Sequence, residues 1–182
     1  FGGLSGAGIF TAQYFGKNDD EGVRNTFRFK FMLACALTAI AVLVFSIFGS
    51  SLISFFLNES NDGGDLAAAL SFAQVYLKIM LLGLPGFAVV QVYSSTMREC
   101  GETVVPMKAG VAAVFVNLFF NYLLIYGKFG FPALGVSGAA IATVLSRYVE
   151  ASVVVFWTHT HSKKQTFAKG LYRTFRVPGR LV

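Results

Sequence analysis

Two asparagines stand inside an otherwise apolar part of the sequence, where a polar side chain is conspicuous enough to suggest chemistry. Asn117 and Asn121 are four residues apart in the uncharged run 109–127, so a helix places both carboxamides on one face. Carboxamides in hydrocarbon are costly unless they meet other polar groups or a water-filled cavity. The pair therefore predicts either the lining of an ion or substrate path or hydrogen bonds that hold neighbouring helices together.

A second polar stripe lies in the next apolar stretch. Thr143, Arg147 and Glu150 follow the spacing i, i+4, i+7, which puts a hydroxyl, a guanidinium and a carboxylate on one helix face. Arg147 and Glu150 are predicted to form an intramembrane charge pair. Static charge neutralisation and proton or cation coupling at Glu150 both fit this pattern, and both interpretations stay open.

Covalent catalysis and metal binding are not expected from this set of residues. An intramembrane enzyme needs a nucleophile with a base, or clustered metal ligands, at membrane depth. The only two histidines, His159 and His161, fall together at one edge of the last apolar stretch, far along the chain from Cys35 and Cys100. The sequence therefore predicts neither an enzyme nor a metal site.

The elements that position these residues follow from the composition. Of the 182 residues, 55% are hydrophobic and only 13% are charged, and the mean hydropathy is +0.63. A water-soluble globule of this size cannot hide so much apolar surface, and disorder needs fewer aromatic residues and more charge. We predict an all-α polytopic transmembrane helix bundle with one partial span and four complete spans, the second of which is kinked at Pro85. The complete spans are predicted at 31–57, 70–97, 107–126 and 133–157.

The basic residues fall unevenly between the polar segments that separate these spans. Twelve of the 15 Lys and Arg residues, Lys30 among them, fall in the first, third and fifth segments, whereas the second and fourth hold only Lys128. This asymmetry predicts that the odd segments are cytoplasmic, and contacts with anionic lipids rather than nucleic acid then account for the net charge of +6. Residues 1–160 are predicted to form a transmembrane lobe that begins partway along a helix, and 161–182 a basic cytoplasmic linker.

Several short motifs follow one another in a fixed order along essentially the whole chain. They are Thr-Ala-Gln-Tyr-Phe-Gly-Lys-Asn-Asp at 11–19, Tyr-Leu-Lys-Ile at 76–79 with Gly-Leu-Pro at 83–85, Met-Arg-Glu-Cys-Gly-Glu-Thr at 97–103 with Pro-Met at 106–107, Asn117 with Asn121, and Gly-Phe-Pro-Ala-Leu-Gly-Val-Ser-Gly-Ala-Ala-Ile-Ala-Thr at 130–143. No single motif is decisive, but the ordered set resembles the MATE family of multidrug and toxic compound extrusion transporters. The resemblance departs from the family pattern at Glu99 and Cys100, where small residues are usual.

The resemblance implies a secondary antiporter of twelve helices in two six-helix lobes. This chain would be a fragment of the amino-terminal lobe, from late in helix two through helix six, and the second lobe of the same polypeptide would be its partner. Such a protein exports drugs or toxic organic cations across the plasma (inner) membrane of a bacterium by alternating access, in exchange for protons or sodium ions. By the same resemblance, Asn117, Asn121 and Thr143 line the site of the coupling ion, and no other cofactor is implied.

Two alternatives remain beside this reading. A lipid-linked oligosaccharide flippase shares the broad architecture, and a strongly cationic central cavity would favour it. Only Arg147 is available for such a cavity, because Lys78 lies early in its helix and can extend to the outer interface. A non-transporting membrane scaffold is the alternative from a different class, and it predicts no ion-dependent flux.

Overall fold

The described part of the chain folds into a bundle of five α-helices. The computed structural model describes residues 2–59 and 66–161, and this part of the chain contains no strand. The helices are α1 (Gly2–Gly16), α2 (Asp20–Glu59), α3 (Leu66–Glu99), α4 (Val104–Tyr126) and α5 (Gly135–Thr160). Helices α2 to α5 are each long and apolar enough to cross a membrane. The predicted all-α, polytopic fold class is confirmed, while the predicted linker over 161–182 lies, except for His161, outside the described residues.

Helix α2 begins well before the charge-free stretch that marks its predicted span. Asp19 starts it, because the Asp19 carboxylate accepts a hydrogen bond from the Gly22 N–H at 2.9 Å, and the preceding Asn18 turns the chain with a positive φ of 56°. At 40 residues, α2 is about twice the length that the hydrocarbon core requires. A window without charge therefore indicates which part of a helix suits lipid, and it does not indicate where the helix begins.

The helices pack in the order α4, α5, α3, α2, and α1 contacts both α2 and α3. One cluster of buried apolar side chains joins the beginning of α2 to the ends of α3 and α5, with Phe27, Tyr93 and Val154 among its members. The Phe27 and Tyr93 rings meet edge to face, with their centroids 4.9 Å apart. Large apolar side chains elsewhere, such as Phe115 and Leu118 on α4, are exposed, as expected where lipid replaces water as the solvent.

Helix α3 continues through Pro85 from Leu66 to Glu99. Pro85 leaves the carbonyl of Leu81 without its usual helical donor. The neighbouring carbonyl of Leu82 accepts a hydrogen bond from the Tyr148 hydroxyl of α5 at 2.8 Å. A Cβ at Gly86 would lie 3.4 Å from the Tyr148 ring, which is van der Waals contact, so the ring packs directly against α3 here. The proline thus lies at a close contact between α3 and α5, and a kink at Pro85 stays a prediction.

Candidate functional site

The structure brings Asn117, Asn121 and Thr143 together in one hydrogen-bonded network between α4 and α5. The Asn121 amide donates to the Asn117 side-chain oxygen at 2.9 Å, and the Asn117 amide donates to the Thr143 hydroxyl at 3.3 Å. The Thr143 hydroxyl in turn donates to the carbonyl of Ala139 at 2.9 Å. The i, i+4 spacing of the asparagines puts them on the face of α4 that meets α5.

One acceptor atom of this network has no hydrogen-bond donor among the described residues. The side-chain oxygen of Asn121 is buried and has no hydrogen-bond partner among the described residues. A buried acceptor without a donor costs about 1–3 kcal/mol, so such an atom calls for an explanation. A proton donor or a small cation would satisfy it, since carboxamide and hydroxyl oxygens are the ligands that hard cations prefer. A role for these three residues in ion binding stays a prediction.

Close packing of α4 against α5 holds the network in place. A Cβ on Gly138 would lie only 2.7 Å from the carbonyl oxygen of Leu124, which is backbone and cannot move aside cheaply. Ala113, Ala140 and Ala142 are also buried on these two helices. Small residues let two helix backbones approach closely in a membrane, and this closeness lets short Asn and Thr side chains reach across.

Arg147 and Glu150 form the ion pair that their spacing predicted. Their charged atoms are 2.7 Å apart within α5, and Glu150 is buried whereas the Arg147 side chain is 42% exposed. The Arg147 guanidinium also lies 6.0 Å from the centre of the Phe87 ring of α3. Both charged residues line a cavity of about 270 Å³ between α3, α4 and α5. Whether the pair is static or takes part in coupling stays a prediction.

A second ion pair, between Lys30 and Glu99, was not predicted from the sequence. The Lys30 ammonium donates to the Glu99 carboxylate, and the Lys30 side chain is completely buried. The sequence groups Lys30 with the basic residues of a polar connection; this was wrong, because α2 already runs through this position and turns Lys30 towards α3. Gly8 of α1 faces the same carboxylate so closely that a Cβ would overlap it. The departure at Glu99 from the family pattern was the one available signal, and its partner lies 69 residues away.

Three further candidate groups are a cysteine that directly follows Glu99 and the two histidines at the end of α5. Cys100 follows α3 in the connection to α4, where burial raises the pKa of its thiol to about 12. His159 lies 3.4 Å from the Tyr93 hydroxyl, and the His161 ring stacks on Trp157. No group of three His, Cys, Asp or Glu side chains that could hold a metal ion occurs within 2–59 and 66–161.

Four apolar helices of membrane-spanning length, with polar side chains that meet between the helices, define a polytopic α-helical membrane protein. The MatE family model matches residues 1–123 of the 182-residue chain. The chain therefore belongs to the MatE family, and the resemblance drawn from its motifs is confirmed.

Curated relatives carry the same family relationship over different parts of the chain. A probable multidrug resistance protein NorM of Thermotoga maritima is 45% identical over 86 residues, which is 47% of this chain and 18% of that protein. The multidrug resistance protein MdtK of Pectobacterium atrosepticum is 30% identical over 151 residues, covering 83% of this chain and 32% of the relative. The probable multidrug resistance protein YoeA of Bacillus subtilis is 24% identical over 98% of this chain and 37% of its own length.

The chain thus spans between 18% and 37% of the length of these three relatives. No solved structure matches it.

Proposed function

We propose that this chain is part of a secondary antiporter that exports drugs or toxic organic cations. Its membership of the MatE family and the multidrug resistance proteins among its relatives support the export of small molecules, with no covalent chemistry. A second lobe of the same polypeptide would complete the transport path. The membrane would be the inner membrane of a bacterium, with the basic connections in the cytoplasm.

The observation that carries the coupling part of this proposal is the unpartnered oxygen of Asn121 within the network of Asn117 and Thr143. Transport coupled to an ion requires a site whose occupancy favours one arrangement of the helices. A sodium ion or a proton donor at Asn121 would complete a network that spans α4 and α5, and so would favour the packing seen here. Alternating access then follows if the two lobes move against each other when the site empties.

Efflux of ethidium from cells that express the full natural polypeptide containing this chain tests the proposal. The variants are Asn121→Ala, Asn117→Ala and Thr143→Val, and Ser152→Ala is the matched control. The Ser152 hydroxyl donates to the carbonyl of Tyr148 on the exposed side of α5, away from the network, so its removal leaves the network intact. Loss of one ion ligand worth about 1–2 kcal/mol predicts efflux reduced about tenfold in the first three variants.

A second arm of the experiment identifies the coupling ion. Efflux by the wild type is measured with the sodium gradient removed at constant pH, and then with the proton gradient collapsed by an ionophore at constant sodium. The proposal expects one of these treatments to abolish efflux. Efflux that survives both treatments, or that is unchanged in Asn117→Ala combined with Asn121→Ala at equal expression, would contradict ion coupling at this network. A protein without any ethidium efflux would favour the scaffold alternative.

A further inference from the structure

The cavity between α3, α4 and α5 has a lining that the transport proposal does not use. Two guanidinium groups, those of Arg98 and Arg147, line it, and Glu150 is the one acidic residue among the described residues of its wall. Glu150 neutralises Arg147, so the cavity wall carries one net positive charge, that of Arg98. The Arg98 Nε donates to the Ser94 carbonyl at 3.0 Å, which anchors the side chain at the wall of the cavity.

Two hydroxyl side chains belong to the same wall. Ser94 is only 4% exposed, and it lines the cavity from α3. Thr103 precedes α4 but makes no side-chain cap of that helix. Both hydroxyl groups can donate a hydrogen bond to a ligand in the cavity.

The first turn of α4 adds a third source of positive potential. Thr103, Pro106 and Met107 all line the cavity, so the N-terminus of α4 borders it. The first N–H groups of a helix have no partner within the helix, and the helix dipole favours a negative charge at this end. Guanidinium groups, hydroxyl donors and a helix N-terminus together are the groups that recognise phosphate.

We propose that this cavity binds a phosphate group, carried either by an anionic phospholipid or by soluble phosphate. A volume of about 270 Å³ accommodates a phosphodiester headgroup without rearrangement of the helices. The cavity lies at the end of α3 and the beginning of α4, which is the end that the basic residues assign to the cytoplasm. Anionic headgroups are concentrated in that leaflet, so the position suits a lipid as well as a soluble anion.

Isothermal titration calorimetry on the purified full natural polypeptide, in uncharged detergent, tests the site. The probes are short-chain phosphatidylglycerol, phosphatidylcholine of the same chain length, and inorganic phosphate at ionic strength matched with chloride. The variant is Arg98→Gln, and the matched control is Lys108→Gln, because Lys108 is an exposed cation on the first turns of α4 that does not line the cavity. The loss of one charge-assisted contact predicts an affinity about tenfold weaker in Arg98→Gln and a change of less than about twofold in Lys108→Gln.

Two further variants keep the test informative if Arg98→Gln does not fold. Arg98→Lys retains the charge and is expected to bind more tightly than Arg98→Gln, while Thr103→Val removes only a hydroxyl and is expected to weaken binding about threefold. Dependence on Arg98 for phosphatidylglycerol alone identifies a lipid site, and the same dependence for inorganic phosphate identifies a soluble ligand. The proposal is overturned if neither anion binds more tightly than phosphatidylcholine or chloride, or if Lys108→Gln weakens binding as much as Arg98→Gln or Thr103→Val.

Discussion

Neutralising Glu99 should destabilise the protein more than neutralising Lys30, because Lys30 is the more deeply buried charge of the pair. The Lys30 side chain is 0% exposed and the Glu99 side chain is 18% exposed. Glu99→Gln leaves a buried ammonium without a counter-charge, and removing one partner of a buried pair costs about 3–5 kcal/mol of unfolding free energy. Lys30→Met leaves a carboxylate that still reaches some solvent, so its cost is expected near the lower end of that range, about 3 kcal/mol.

The double variant Lys30→Met with Glu99→Met separates the ion pair from its surroundings. Replacing both charges by apolar side chains of similar size is often close to neutral, so the double variant should be within about 1 kcal/mol of the wild type. The stabilities are measured by titrating the full natural polypeptide from mild detergent into SDS and following helix content by circular dichroism. Lys17→Met, at an exposed position, is the control and should change stability by less than about 0.5 kcal/mol. A double variant that loses the sum of the two single losses would refute the coupling of these charges.

Two further predictions follow from local packing. Gly138→Ala should cost about 1–3 kcal/mol in the same SDS titration, because its Cβ would meet the backbone of Leu124, whereas Gly6→Ala, with nothing within 4 Å of the added Cβ, should be neutral or slightly stabilising. Equal losses in the two variants would contradict the close contact of α4 and α5. Alkylation of Cys100 by iodoacetamide in a Cys35→Ser background should be about a thousandfold slower at pH 8 than alkylation of an unburied thiol, because burial raises the pKa of Cys100 to about 12 and so lowers the thiolate fraction. Its rate should rise with each increase in pH above 8, and rapid labelling at pH 8 would contradict the burial.

The sequence was sufficient for those features that depend on neighbours along one helix. Asn117 with Asn121, and Arg147 with Glu150, are three or four residues apart, and helical periodicity alone puts each pair on one face. The membrane-spanning helices are equally local, because uncharged runs of sufficient length identify them. Thr143 needed more than periodicity, since only the family resemblance linked a hydroxyl on α5 to the asparagines of α4.

The features that escaped prediction join residues far apart in the chain. Lys30 and Glu99 lie in segments whose sequences predict polar connections. Nothing in the sequence of either segment indicates that its charged residue pairs with the other one. The Tyr93 hydroxyl and His159 are likewise 66 residues apart and meet only because α3 and α5 end side by side. Local patterns specify which face of a helix is polar, and helix packing specifies which polar groups then meet.

The two polar sites of this chain lie on the same pair of helices. On α4, Gly110 borders the Glu150 carboxylate, because a Cβ at Gly110 would lie 3.7 Å from a Glu150 carboxylate oxygen. Asn117 lies seven residues further along α4. On α5, Thr143 and Glu150 are also seven residues apart, so the asparagine network and the Glu150 carboxylate in the cavity wall are separated by about 10 Å along both helices. Because both sites depend on the spacing of α4 and α5, a change in the packing of these helices changes both. An anion in the cavity and an ion at Asn121 would each favour the packing seen here, and by thermodynamic linkage each would then strengthen the binding of the other.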